Sequence, residues 1–552
     1  MSRSNIEPLQ ECLYHKIQTS EDVTKLRQCL KICGRSVLQS WADDNGYDAL
    51  HHVIMADNAE AMGIIFAMGH FKAPHEPKYH SYIHLAANFG NRTNVAMLLQ
   101  ERPSDYSLKK TKFKWVKKPT EIPLMSKDGA SRVSPLDVAA NCGYVGCVKT
   151  ILDVSSTHNL LEINSNNYLC TSTASNSSSA LRLLLKQSPS EDDLKAAVGT
   201  ALKLANADCL DVLLNCNPNL TSLFSGMNLY HVLFSYSMSF KREWYQSLLA
   251  VTSVLLKHGQ NPMSTIPFRT YPLYSLLSHT PSSEFGQTSH YIIACMVLLL
   301  NADVDTNFNE VAYEGKHSNS NIQTAFGRSA FPSSLHCLYA NVRCLLKLFE
   351  HDDVTHIHLR LFVTKTTETL LKHGADLSIC GPIDNTEYHG DALLAFLFVV
   401  IKLGLDERTM NTFRLLTQNG SDPNLSSNGH YPVNVLVDEI LTNSDMFGKK
   451  YEHSQASFTE LVTEMVDTLL GNMTHTSLQE ASRVEVSGKP TTHLQKKIFK
   501  LCRKELKSRS AKVQSLKAGC RFCLLKACHW KPTNVIELPL PLALKQYVNG
   551  VR

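Results

Sequence analysis

The chain has no long apolar run. Its richest stretch, "DALLAFLFVVIKLG", is too short to cross a membrane. The first residues, "MSRSNIEPLQECLYHK", carry no apolar core of signal-peptide length. Charge of either sign is not in excess: 55 Lys and Arg against 50 Asp and Glu give +5. Any attraction to nucleic acid or to a membrane would therefore have to come from a local patch. There is no G-x-x-x-x-G-K-[ST] loop, no H-E-x-x-H and no G-x-S-x-G. No pair of carboxylates stands out in a readable context. An enzyme is thus not expected, and neither is a cofactor. The 16 cysteines form no dense framework. Most, such as Cys147, Cys209, Cys295 and Cys344, sit inside apolar runs, which predicts reduced thiols in the cytoplasm or the nucleus.

What the chain does have is a repeat. At 552 residues it is too long for one ordinary core, and 43 % hydrophobic residues suit a folded protein. Leu50-His51 is followed by Met62, Ile65 and Phe66. Ile83-His84 is followed by Val95, Leu98 and Leu99 at the same offsets. Leu136 leads to Val148, Ile151 and Leu152, and Leu169 leads to Leu181, Leu184 and Leu185. The pattern predicts two short antiparallel helices per unit. The first carries small residues (Ala86, Ala87, Ala139, Ala140) that let neighbours approach, and the second fills the core between units. Neither helix can bury its face alone, so the units must stack. Further anchors are Val198, Tyr230, Leu273, Leu335, Leu393 and Val433. Histidines recurring at a repeat position, His51 and His84, read as structural.

"SPLDVAANCG" comes close to the T-P-L-H-x-A signature, and "LLKHGADLS" and "LLTQNGSDPN" look like repeat endings closed by Gly374 and Gly420. Residues 45–475 therefore resemble an ankyrin-repeat array. The expected fold is all-α, a solenoid of about ten helix pairs. Residues 1–44 are expected to form N-terminal capping helices. Three insertions break the period: "ERPSDYSLKKTKFKWVKKPTEIP", "NFNEVAYEGKHSNSNIQTAFGRSAFPS" and "HDDVTHIHLRLFVTK". Inserts in stacked repeats become loops on one face, often a binding face. The first is the sharpest charge cluster, six lysines with Phe113 and Trp115 interleaved. The loop at Lys114 and Trp115 is the candidate for holding an acidic protein segment, with a solvated loop or single-stranded nucleic acid as the other readings. Lysine without arginine makes nucleic acid the weaker of these.

After residue 475 the repeat is expected to stop. "THTSLQEASRVEVSGKPTTH" reads as a polar linker and "LQKKIFKLCRKELKSRSAK" as a basic amphipathic helix, together 476–512. Then comes "SLKAGCRFCLLKACHWKP". On a helix, Leu516, Cys520, Cys523, Leu524 and Ala527 fall on one apolar face, suited to a groove on a partner, and Pro532 ends the helix. Cys520-x-x-Cys523 has zinc-ligand spacing, but no second C-x-x-C accompanies it, so no metal is expected.

The same residues match the elongin-binding box of the SOCS-box family: Ser515, Leu516, Cys520 and Leu524, within 515–524. "VIELPLPLALKQYV" is similar to the cullin box that follows in that family, at 535–548. Gly519 departs from the family pattern, which often has a bulkier apolar residue there. Residues 513–552 thus resemble a small helical SOCS box, and the whole chain resembles the ankyrin repeat and SOCS box family. That resemblance implies a non-catalytic substrate-recognition subunit of a cullin-RING ubiquitin ligase. Leu516, Cys520, Cys523 and Leu524 would meet elongin C, which travels with elongin B. Leu538, Pro539, Leu540 and Pro541 would favour a cullin of the cullin-five type with its RING protein. An unidentified protein substrate, marked for ubiquitination and degradation, would bind the repeats. The alternative is an ankyrin scaffold with no ligase role.

Overall fold

The computed structural model describes residues 46–68, 81–101, 111–116, 131–158, 167–217, 228–235, 242–263, 272–277, 285–307, 331–348, 353–383, 386–443, 455–486 and 489–511, with isolated positions elsewhere. The expected N-terminal caps (1–44) and SOCS box (513–552) lie outside the described residues, isolated positions apart.

The pairs begin where the caps dictate. Ser134 accepts from the backbone N–H of Asp137, whose carboxylate accepts from the Ser134 N–H at 2.9 Å, and Pro135 takes the first helical position. This reciprocal cap satisfies two amides that the first turn leaves without partners. Ser190 and Asp193 repeat it.

Among the described residues the first unit, up to Met227, holds five helix pairs: α1 (Ala49–Met55) with α2 (Ala59–Ala67), α3 (Tyr82–Phe89) with α4 (Arg92–Glu101), α5 (Pro135–Asn141) with α6 (Val145–His158), α7 (Asn167–Ala174) with α8 (Ser178–Leu185), and α9 (Glu191–Leu204) with α10 (Ala207–Cys216). First helices pack on first helices and second on second, in two layers. Ala86, Ala87, Ala139 and Ala140 are fully buried, as their small size requires at that seam. Side-chain amides stitch one pair to the next. Asn206 donates to the Thr173 carbonyl at 2.6 Å, and Asn91 donates to the Ile54 carbonyl.

Among the described residues the second unit, from Asn228, holds six: α11 (Leu229–Ser235) with α12 (Arg242–Lys257), α13 (Pro272–Leu277) with α14 (Phe285–Leu300), α15 (Ser334–Leu348) with α16 (Asp353–Lys372), α17 (Ala392–Leu403) with α18 (Glu407–Gln418), α19 (Pro432–Thr442) with α20 (Gln455–Gly471), and α21 (His475–Arg483) with α22 (His493–Ala511). The all-α expectation holds, and all ten anchors fall in buried positions of first helices.

Two expectations are corrected. The polar stretch after residue 475 is not a linker. Thr474 caps α21 by accepting from the Ser477 N–H at 3.0 Å, Leu478 and Ala481 are buried, and Asn434 donates to the Ala481 carbonyl. Within the second unit these residues form a further helix pair, α21 with α22. The third insertion is not a loop either. Residues 353–365 are the first turns of the 20-residue α16. Thr355, His356, Leu359, Phe362 and Val363 face its buried side, so the extra residues lengthen a helix.

The left-handed residue Gly90 (φ 78°) closes α3, and Tyr144 of the third pair lies against it. A Cβ there would stand 2.7 Å from the Tyr144 ring. Gly90→Ala is expected to lose about 1–3 kcal/mol, part from the positive φ and part from displacing the ring. A urea midpoint unchanged from wild type would show that the ring yields freely.

Candidate interaction surfaces

The basic insert returns to the array as a two-stranded antiparallel ladder. β1 (Thr111–Phe113) pairs with β2 (Ser131–Val133), Lys112 opposite Arg132. Side chains alternate, as a strand requires. Lys112, Lys114 and Val116 are exposed, while Phe113 is fully buried and Trp115 is 6 % exposed. Phe113 stacks on His84 at 5.6 Å and meets Trp115 edge-on at 5.4 Å. The expectation of an aromatic ring offered to a partner is therefore corrected for Trp115. Burying its large apolar surface outweighs presenting it, and only Lys114 of the candidate pair faces outward.

His84 explains the hold on this ladder. Its Nε2 lies 3.0 Å from the Val133 carbonyl and its Nδ1 lies 2.6 Å from the Ser81 hydroxyl. A carbonyl can only accept, so Nε2 carries the proton and Nδ1 accepts from Ser81. Both nitrogens are satisfied in the neutral ring, and burial holds its pKa down at about 4. His336 repeats the arrangement. Its Nδ1 is 2.8 Å from the Ser333 hydroxyl and its Nε2 is 3.0 Å from the Gly390 carbonyl. Burial also puts its pKa at about 4. Gly390 ends a second short ladder, β3 (Gly381–Pro382) with β4 (His389–Gly390). Asp391 follows at once. It is buried, caps α17 by accepting from the Leu394 N–H at 3.0 Å, and also accepts from the Asp422 N–H at 3.2 Å. Burial outweighs those bonds and pushes its carboxyl up to about 7. The structural reading of His84 is thus seen in its contacts. His51 differs: its Nδ1 is 2.8 Å from the Asp48 carboxylate and its ring packs on Tyr82.

The extra turns of α16 expose an apolar row, Val354, Ile357 and Leu361, at 64, 43 and 44 %. The i, i+3, i+7 spacing puts them on one face. The helical periodicity of residues 353–361 carries the signal for this row.

Burial pushes the thiols of Cys147, Cys209, Cys295 and Cys502 up to about 12. They are protonated at neutral pH and serve as small apolar side chains rather than as nucleophiles. Among the described residues no cluster of three or more His, Cys, Asp or Glu is placed to hold a metal ion. The elongin-box residues Leu516, Cys520, Cys523 and Leu524, and the cullin-box residues Leu538, Pro539, Leu540 and Pro541, lie outside the described residues.

No protein-family model matches the chain, and no curated protein matches it. Among solved structures, the human ASB11 ankyrin repeat domain is similar at 17 % identity, covering 48 % of this chain and 97 % of that one, with a TM-score of 0.28. The ankyrin repeat domain of Bcl-3, a member of the IkappaB protein family, is similar at 17 % identity, covering 42 % and 94 %, with a TM-score of 0.29.

Proposed function

We propose that this chain is the substrate-recognition subunit of an elongin–cullin ubiquitin ligase of the SOCS-box type. The coarser part of that reading is a protein-interaction role, and the stacked helix pairs fit it. The finer part rests on one observation. The spacing Ser515-Leu516-x3-Cys520-x3-Leu524, followed by Leu538-Pro539-Leu540-Pro541, begins four residues after α22 ends at Ala511. A module placed there follows the array without interrupting it. In this reading Leu516 and Cys520 enter a pocket on elongin C, with elongin B alongside. The Leu-Pro-Leu-Pro segment meets a cullin of the cullin-five type, whose RING protein brings the charged ubiquitin enzyme. The chain contributes proximity: a target held on the repeats presents its lysines to the thioester. Cys520 is then a packing residue.

Co-expression with elongin B and elongin C tests this. Wild type is expected to co-purify with both at near one-to-one. Leu516→Ala combined with Cys520→Ala is expected to lose them while keeping the wild-type helical circular dichroism. A folded wild-type chain that leaves both elongins in the flow-through would end the ligase reading.

A further inference from the structure

Helix α22 carries a charge that the repeat architecture does not use. α22 has seven basic side chains against one acidic, a net +6, where the entire chain has +5. Lys496, Lys497, Lys500, Arg503, Lys504 and Lys507 are exposed, and Leu494, Ile498, Cys502 and Leu506 are buried on the opposite side. The single acid, Glu505, is held by Arg509 at 3.7 Å. Beside this helix lies a groove of about 260 Å³. Val433 and Val437 of α19, Val484 and Val486 after α21, and Phe499 and Leu506 of α22 supply its apolar walls. Glu485 and Arg503 stand at its polar edge, and exposed Arg483 and Lys489 lie close by in sequence. At about 100° per residue, Lys496, Lys500 and Lys507 border the groove side of α22, whereas Lys497 and Lys504 lie further round.

We propose that this groove and its basic border form a docking site for an acidic peptide segment of another protein, one or two apolar side chains flanked by carboxylates. The volume is below the range typical of small-molecule sites, roughly 300–1,000 Å³, and suits side chains rather than a whole metabolite. The walls select apolar anchors, and the lysines select the surrounding charge. Charge excludes the nearest competitor. Residues 512–531 of this chain hold five basic residues (Lys512, Lys517, Arg521, Lys526, Lys531) and no acid, so they would meet α22 with like charge. Nucleic acid fits less well. The walls are mainly aliphatic, and the Arg503 guanidinium already lies over the Phe499 ring at 5.6 Å, where a base would stack. The site stands whether or not the ligase reading does.

Selection of a random 12-residue display library on the full-length chain, followed by anisotropy titration of the winning peptide, tests it. Winners should carry Leu, Ile, Phe or Met between Asp and Glu. Lys500→Glu with Lys507→Glu, and separately Phe499→Ala, should each weaken binding by about tenfold or more. Lys497→Glu with Lys504→Glu changes the net charge equally but should weaken it less than about threefold, because those lysines lie off the groove. Equal losses in the two charge-reversed variants would reduce the site to diffuse attraction and overturn it. So would winners without acidic residues, tighter binding by oligo-dT than by the winning peptide, or displacement of that peptide by a synthetic 513–531 peptide.

Discussion

Phe113→Ala is expected to destabilise the first unit by about 3–5 kcal/mol, the cost of emptying a fully buried aromatic site that cannot collapse. Three losses coincide at this position. The side chain itself is fully buried. Its face supports His84, whose ring orientation fixes the bond to the Val133 carbonyl. Its ring also meets that of Trp115, two residues on and buried as well. Removing it also admits water to His84, so the histidine pKa should climb from about 4 toward its ordinary value. Urea unfolding followed by tryptophan fluorescence reads the first effect, and histidine NMR titration reads the second. A loss below about 1 kcal/mol with an unmoved His84 would mean that the ladder is seated by something other than this ring.

Acidification should separate the two units. His84 titrates at about 4 folded against an ordinary 6.5, so the unfolded chain binds the proton more readily. Its contribution to stability is complete above pH 6.5 and is lost as pH falls from there toward 4, up to ~3 kcal/mol. His336 in the second unit has the same sign and window. Asp391 has the opposite sign. Its folded pKa of about 7 lies above the ordinary 3.8, so folding favours the protonated carboxyl and stability rises as pH falls from 7 toward 4. The raised Glu439 acts in the same direction, and Asp48 in the first unit, held low mainly by His51 and Tyr82 against the pull of burial, adds losses only at lower pH. Between pH 7 and 5 the first unit should therefore lose stability while the second changes little. Hydrogen exchange resolved by peptide at the two pH values measures both at once. Asp391→Asn removes the offset and should give the second unit the acid sensitivity of the first. If the variant's second unit stays as acid-resistant as wild type, the pairing of His336 with Asp391 is not what balances it.

Much of the array is readable from spacing because each pair repeats a burial problem with the same solution. Leu50, Ile83, Leu136 and Leu169 are buried for the same geometric reason, so one template finds them all. The template fails where burial is sparse or length varies. Residues 475–483 bury mainly Leu478 and Ala481, too faint an apolar signal against seven more polar neighbours, although Thr474 and Ser477 marked the cap. Residues 353–365 break the repeat period, which reads as a loop, although their own periodicity is helical. At Trp115 the basic context points to exposure, whereas the Lys-Phe-Lys-Trp alternation points to burial, and burial is what the fold shows. The groove beside α22 could not be read in sequence at all, since its walls come from segments as far apart as Val433 and Leu506.

The histidine contacts have a consequence for how such a chain can change. His84 reaches a carbonyl 49 residues on and His336 one 54 residues on, yet both distances are 3.0 Å. Each contact joins the two ends of a detour, so the stack senses where the detour re-enters and not how long it is. The connectors inside each detour, those that join α4 to β1, β1 to β2 and α15 to α16, are cassettes. They can be lengthened, shortened or exchanged without shifting the register of the pair that follows, provided that the packed helices, Phe113 and the re-entering carbonyl are kept. New binding specificity can then arise by exchanging cassettes, while the array that carries them stays the same.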